Sequence, residues 1–205
     1  GEILTLLEHI AECGYRVQVI DGVRACRYDT LYYDTAERDM YVAHHNRQLT
    51  RQKVRTRTYV ESGLTFLEIK NKNNRGRTKK RRTEIPREAF NAFANNAAAT
   101  EFYKDKGHHA YDTITPALST RFVRITLVNP RLTERLTIDL ALEYQDVRSD
   151  THAAIPTMAI VELKQDGSVT SDLKRTMLDM RISPLKVSKY CLGTTLTVDG
   201  IKHNR

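Results

Sequence analysis

The stretch TRQKVRTRTYV, residues 50–60, places Arg51, Lys53, Arg55 and Arg57 at every second position. Successive side chains of a β-strand point to opposite faces, so a strand here carries all four cations on one face, followed by Tyr59. Gln52, Val54, Thr56, Thr58 and Val60 take the other face. Like charges held side by side repel, and a fold tolerates such a row only where something anionic lies against it.

The same pattern recurs along the chain. Strands are predicted at residues 27–34, 50–60, 63–72, 77–85, 119–128, 133–142 and 157–165, each alternating, rich in β-branched or aromatic residues, or both. Turn sequences at 61–63 (ESG) and 73–76 (NNRG) make residues 50–85 an antiparallel meander, and NPR at 129–131 joins a further pair. Glu68, Lys70 and Lys72 share one face while Leu67 and Ile69 share the other. Lys80, Arg82 and Glu84 alternate with Lys79, Arg81 and Thr83. Arg135, Thr137 and Asp139 oppose Leu136, Ile138 and Leu140, and Glu162 and Lys164 oppose Val161 and Leu163. One such strand reads as a half-solvated sheet. Repetition across strands favours a closed barrel, with its apolar side outward under helices and its charged side lining a lumen. Desolvated like charges are costly there, so the arrangement calls for a bound anion, with a metal bridging it to the carboxylates.

Helices punctuate the strands. Ile3, Leu6, Leu7 and Ile10 follow helical spacing at the start of the chain. A second helix is expected over 86–95, from Pro86 to the Asn95-Asn96 stop. A third is expected over 171–181, ending before Ser183-Pro184, with Leu173, Met177 and Met180 packed as core. No repeat and no long linker divides the sequence, so residues 1–205 read as a single domain.

The net charge of +8 and pI near 9.4 favour an anionic partner. Cys13, Cys26 and Cys191 are too far apart for a disulfide framework or zinc spacing. With no signal peptide and no apolar run of transmembrane length, a cytoplasmic location is expected. His44-His45 and His108-His109 lack partner groupings and read as surface residues. No stacking platform and no basic recognition helix is evident, which puts nucleic-acid binding last, and there is no Ser/His/Asp or Cys/His constellation for nucleophilic catalysis.

The segments KVRTRTY (53–59), FLEIKNK (66–72), TRFVRI (120–125), ERLTID (134–139), IVELK (160–164) and KVSKYCLG (186–193), in this order, resemble the VTC domain. That is the catalytic domain of the vacuolar transporter chaperone type of polyphosphate polymerase, in the CYTH/triphosphate tunnel superfamily. The resemblance runs from about Tyr28 to Gly193 and implies an eight-stranded antiparallel tunnel, mainly β with flanking helices, that binds triphosphates with Mn²⁺ or Mg²⁺. It assigns phosphate-handling roles to Arg55, Arg57, Lys70, Lys80, Arg82, Arg121, Arg135 and Lys189. Lys53, Glu68, Arg124, Lys164, Lys186 and Ser188 are its further substrate-binding positions, and Glu162 is its metal ligand. Alternation alone does not choose between Arg121 and Arg124. Asp139 pairs with Arg135 or binds metal, and Ser188 also suits a helix cap. Superfamily members open with a strand of acidic and basic residues that nothing before Glu2 supplies. Seven of the eight strands are therefore expected, with the first outside the chain.

The resemblance implies transfer of the terminal phosphate of ATP to a polyphosphate chain. A triphosphatase and a non-catalytic polyphosphate- or nucleotide-binding module are the alternatives. The expected partners are ATP, triphosphate or polyphosphate; a membrane partner and the oligomeric state stay open.

Overall fold

The computed structural model describes residues 2–167 and 170–203. In chain order its strands are β1 (Arg16–Val17), β2 (Ala25–Asp34), β3 (Arg51–Tyr59), β4 (Thr65–Lys72), β5 (Thr78–Glu84), β6 (Thr115–Val128), β7 (Glu134–Asp146), β8 (His152–Ile155) and β9 (Ile160–Gln165). The helices are α1 (Glu2–Glu12), α2 (Asp39–His45), α3 (Ala97–Lys106), α4 (Asp172–Asp179) and α5 (Lys189–Thr197). All seven strands expected from alternation are present, joined by the short β1 and β8.

Hydrogen bonding orders the sheet β5-β4-β3-β2-β6-β7-β8, with β1 against β6 and β9 against β7. The ladders β2–β3, β3–β4, β4–β5, β1–β6 and β7–β9 are antiparallel. In place of seven strands of an eight-stranded ring, the described residues form an open nine-stranded sheet, seven strands along one path with β1 and β9 branching from it. Both β8 and β9 pair with β7, and among the described residues no ladder joins either of them to β5.

The chain groups into two compact units. The first comprises residues 1–27, 122–142 and 155–186; the second comprises 28–121, 143–154 and 187–205. In the first unit, Leu127 of β6 and Leu136 and Ile138 of β7 are buried with Leu6 and Ile10 of α1 and Leu173 of α4. Met177 and Met180 pack on this cluster, so the apolar stripe of α4 is core, as its spacing predicts. In the second unit, Leu31, Tyr33, Val54, Leu67 and Ile69 cover one sheet face with Ile85, Ala89, Phe93, Ala99 and Tyr103. Each fully buried Leu, Ile or Phe contributes about 1.5–3 kcal/mol, so these two apolar faces hold the sheet in place. The opposite faces are thereby left to the charged residues.

The helix expected over 86–95 is corrected. Two 3-10 turns, Arg87–Ala89 and Phe93–Asn95, occupy that stretch, and α3 begins where the helix was expected to stop. Asn96 accepts a hydrogen bond from the Ala99 amide at 2.9 Å, so it starts a helix as an N-cap. Ser171 caps α4 in the same way, accepting from the Lys174 amide at 3.1 Å. His44 and His45 lie half-buried at the end of α2, an element without an apolar stripe to announce it. Remote capping explains α2: the Asp34 carboxylate accepts the amides of Met40 and Tyr41, each at 2.9 Å. None of the three cysteines is in a disulfide. Among the described residues no helix is long and apolar enough to cross a membrane.

Candidate functional site

Register assembles the charged face of the second unit. Thr30 lies opposite Arg57 and Tyr32 opposite Arg55 across β2–β3. Across β3–β4, Lys53 meets Lys70 and Arg55 meets Glu68. Across β4–β5, Lys70 meets Lys80 and Glu68 meets Arg82. Directly paired residues project to the same side, so these side chains form one surface, back to back with the apolar cluster. Lys53, Arg55, Arg57, Lys70, Lys80, Arg82 and Glu68 are thus brought together.

Glu68 organises this surface. Its Oε2 accepts from Arg55 Nε at 2.7 Å, and its Oε1 lies 2.5 Å from Lys80 Nζ. Burial alone would push the Glu68 carboxyl up, but Arg55, Arg57 and Lys80 outweigh it and hold the group at about 2. The buried Arg57 donates to Thr30 Oγ1 at 3.0 Å and lies over the Tyr28 ring, 5.4 Å from its centroid. Lys53 donates to Ser188 Oγ at 2.8 Å, and burial lowers its pKa. Ser188 also accepts from the Cys191 amide, so the cap of α5 and a basic side chain of β3 share one hydroxyl. Lys70 and Arg82 are exposed, Arg82 lying over the Phe66 ring at 4.5 Å. Lys189 opens α5, and Lys186 is exposed in the segment before it.

Tyr32 belongs to this surface although the sequence reading did not single it out. Its buried hydroxyl accepts from Arg55 NH1 at 3.3 Å, and its ring stacks on Tyr190 at 5.0 Å. Burial raises the phenol pKa, but Arg55, Arg57 and Lys53 together bring it below the ordinary value. The signal was present in RYDTLYYD: Tyr28, Thr30 and Tyr32 alternate onto the side that meets the arginines.

Arg121 lies elsewhere. Its Nε is 3.7 Å from the Asp29 carboxylate, which Arg87 also approaches at 3.5 Å. Asp29 is paired with Thr58, on the opposite sheet face from Thr30 and Tyr32, so Arg121 is not brought together with Arg55 and Arg57.

The first unit carries a polar face of its own. Arg124 clamps Asp139 with two bonds, Nε to Oδ1 at 2.5 Å and NH2 to Oδ2 at 2.8 Å. Asp139 therefore pairs with an arginine, but with Arg124 and not Arg135, which is exposed. Thr137 lies opposite Glu162, and Arg135 opposite Lys164. Glu162 and Lys164 are exposed, with Lys164 Nζ 3.5 Å from Glu162 Oε1.

The carboxylates differ as possible cation ligands. The Glu68 and Asp139 oxygens are engaged by basic groups. Glu162 is solvent-facing with one long ion pair, and the buried Thr137 hydroxyl across the ladder has no hydrogen-bond partner. Among the described residues no group of three or more His, Cys, Asp or Glu side chains forms a ready-made cage. A small divalent ion that keeps its waters and takes one or two carboxylates alongside phosphate oxygens fits Glu162; an all-protein site does not.

The family model described as the VTC domain matches residues 3–198. Two solved structures share the fold. A candidate adenylyl cyclase from Hippeastrum, described as having a dominant triphosphatase activity, is 15% identical, with 98% of this chain and 93% of that chain covered at a TM-score of 0.57. A candidate adenylate cyclase from Bacillus halodurans is 10% identical, covering 90% and 87%, at a TM-score of 0.52. No curated protein matches the sequence significantly.

Proposed function

Because the chain belongs to the VTC domain family, we propose that it transfers the terminal phosphoryl group of ATP to a polyphosphate chain. The observation that carries this reading is the face holding Lys53, Arg55, Arg57, Lys70 and Lys80 around the buried carboxylate of Glu68. Such a surface has uncompensated positive charge, and a phosphate chain supplies the opposite charge at regular intervals.

The chemistry suits these residues. An already ionised terminal oxygen of the acceptor chain attacks the γ-phosphorus, the bond from that phosphorus to the β–γ bridging oxygen breaks, and ADP departs with the electron pair. No proton is removed from the nucleophile, so no side-chain base is needed; positioning and charge neutralisation do the catalysis. Arg55 and Arg57 hold phosphate oxygens, with Glu68 fixing the Arg55 fork and Thr30 the Arg57 fork. Lys53 and Lys70 add charge along the same row. Glu162 of the first unit is the residue that would hold a Mn²⁺ or Mg²⁺ ion, and such an ion would supply positive charge for phosphate oxygens.

With ATP and Mn²⁺, the expected products are ADP and a polyphosphate ladder on a gel. Glu162→Gln keeps the side-chain shape but removes its charge, and should lower turnover by about a hundredfold or more while phosphate-chain binding survives. An unchanged rate would remove Glu162 from the metal assignment. The activity described for the Hippeastrum structure supports a second reading, a triphosphatase in which water replaces the acceptor. Orthophosphate release without a ladder would select it. If neither product forms, the chain is a binding module.

A further inference from the structure

The β4–β5 hairpin of the second unit carries a second basic feature that the phosphate row does not use. An open groove of about 680 Å³ is lined by Lys72, Arg77, Lys79, Arg81 and His108, together with asparagines and threonines and no carboxylate. Lys79 pairs with Asn71 and Arg81 with Ile69, so both project to the side opposite Lys80 and Glu68. Lys72 instead shares the side of Arg51 and Lys70, at the end of the phosphate row. The groove thus begins where the row ends and continues around the hairpin tip onto the other side of the sheet.

Local structure fixes the groove's walls. Asn73 Oδ1 accepts the amides of Arg75 and Arg77 at 3.1 and 2.9 Å, and Gly76 takes a positive φ of 77°, so the turn holds Arg77 in a set position. On the other wall, the buried Gln52 donates to Asn71 at 2.6 Å and accepts the His108 amide at 3.1 Å. Asn71 in turn donates to the Lys106 carbonyl at 2.9 Å. This chain of bonds holds the end of α3 against the hairpin and keeps His108 at the groove.

Protection of an edge strand against pairing explains lysines and arginines on β5, which ends the sheet path. It does not explain why Lys72 and Arg77 and His108 from a separate loop line the same groove without a carboxylate. A triphosphate also does not require it. The row from Arg51 to Arg57 spans roughly 20 Å along the strand, room enough for a short chain.

We propose that this groove is an extension track for a phosphate chain longer than the row can hold, engaging the polymer beyond the segment held by Arg55 and Arg57. The inference rests on the polyphosphate reading of the row. It makes chain length, and not the nucleotide, the property that the hairpin recognises.

The test compares tripolyphosphate with long-chain polyphosphate on the wild-type protein and on Arg77→Gln/Lys79→Gln/Arg81→Gln. Tripolyphosphate affinity and its thermal stabilisation should be unchanged, which also shows that the fold is intact. Long-chain affinity should fall roughly tenfold or more, and the slope of log K against log salt should become shallower by about two, as for the loss of three contacts to a single-stranded polyanion. Arg81 is half-buried, so the double variant Arg77→Gln/Lys79→Gln, at two exposed positions, should show the same trend should the triple fail to fold. Unchanged long-chain affinity and slope, with tripolyphosphate still bound, overturn the track and leave the proposed function standing. Loss of binding to both ligands already in the wild type overturns both. Equal loss of single-stranded RNA binding in the variants would make the groove an unselective polyanion surface and overturn the polyphosphate assignment.

Discussion

Glu68 sits under a cationic surface, and its two sides respond differently to its removal. Without ligand, the carboxylate offsets repulsion among Arg55, Arg57 and Lys80; with a phosphate chain bound, it competes with the ligand for the same guanidinium and ammonium groups. Glu68→Gln should therefore lower the stability of the free protein by about 2–3 kcal/mol, given that Arg55 and Lys80 are partly solvated, and its melting temperature with it. It should also tighten tripolyphosphate binding by up to about tenfold. Arg55→Ala should weaken both, and calorimetry on the two variants distinguishes these signs. If Glu68→Gln binds tripolyphosphate more weakly, the carboxylate is an obligate positioning group and the electrostatic account fails. His44 sets a pH dependence of a different kind. Burial, with Lys53 and Arg51 nearby, lowers its pKa from 6.5 to about 3, so the folded protein holds it neutral. The unfolded chain takes up this proton near its ordinary value, so the contribution is complete above pH 6.5 and is lost as pH falls toward 3. Glu68 adds a loss of the same sign below 4.5, toward 2. A melting temperature that declines from pH 6.5 to 5, and a flatter decline in His44→Gln, is the expected outcome. Periodicity carried no hint of this, because His44 is placed by a helix that a remote side chain caps.

At the scale of elements, alternation made the strands legible because each has one apolar and one charged face, and a register slip of one residue would exchange them. The folded sheet also pairs Arg124 with Asp139 and sets Arg121 beside Asp29, a choice that spacing alone left open. The 86–97 stretch was illegible for a physical reason: asparagine ends helices and starts them, and Asn96 takes the second role through its bond to Ala99. Helix α5 was visible only as a possible cap at Ser188, since its packing depends on a close approach. A Cβ on Gly193 would lie 2.6 Å from Leu118 Cδ2 and closer still to the Tyr144 ring. Gly193→Ala gains up to about 1 kcal/mol in helix propensity but overpacks these contacts by about 1–3 kcal/mol. A net drop in melting temperature is expected, and because α5 begins at the Ser188 hydroxyl that Lys53 shares, weaker tripolyphosphate binding should accompany it. A stabilised variant would show that α5 is packed more loosely than this.

Over the whole molecule the net charge is +8, alternation on β3, β4 and β5 puts Lys53, Arg55, Arg57, Lys70, Lys80 and Arg82 on one face, and repulsion there becomes attraction when a polyanion binds. Folding and ligand binding are then linked, since the unfolded chain disperses the same cations and lacks the site. Tripolyphosphate should raise the melting temperature, with a gain of about 2.7 kcal/mol at a concentration a hundredfold above its dissociation constant. The gain should shrink as salt screens the exposed Lys70, Lys80 and Arg82 more than the buried Arg57. Sulfate at equal ionic strength should give less, because it meets one basic pair at a time, whereas a chain spans several across β3, β4 and β5. A scanning-fluorimetry titration with the two anions at matched ionic strength measures the difference directly. Equal shifts would mean that the face acts only as a general anion sink, and no shift with millimolar tripolyphosphate would remove the phosphate-chain reading of the charged face altogether.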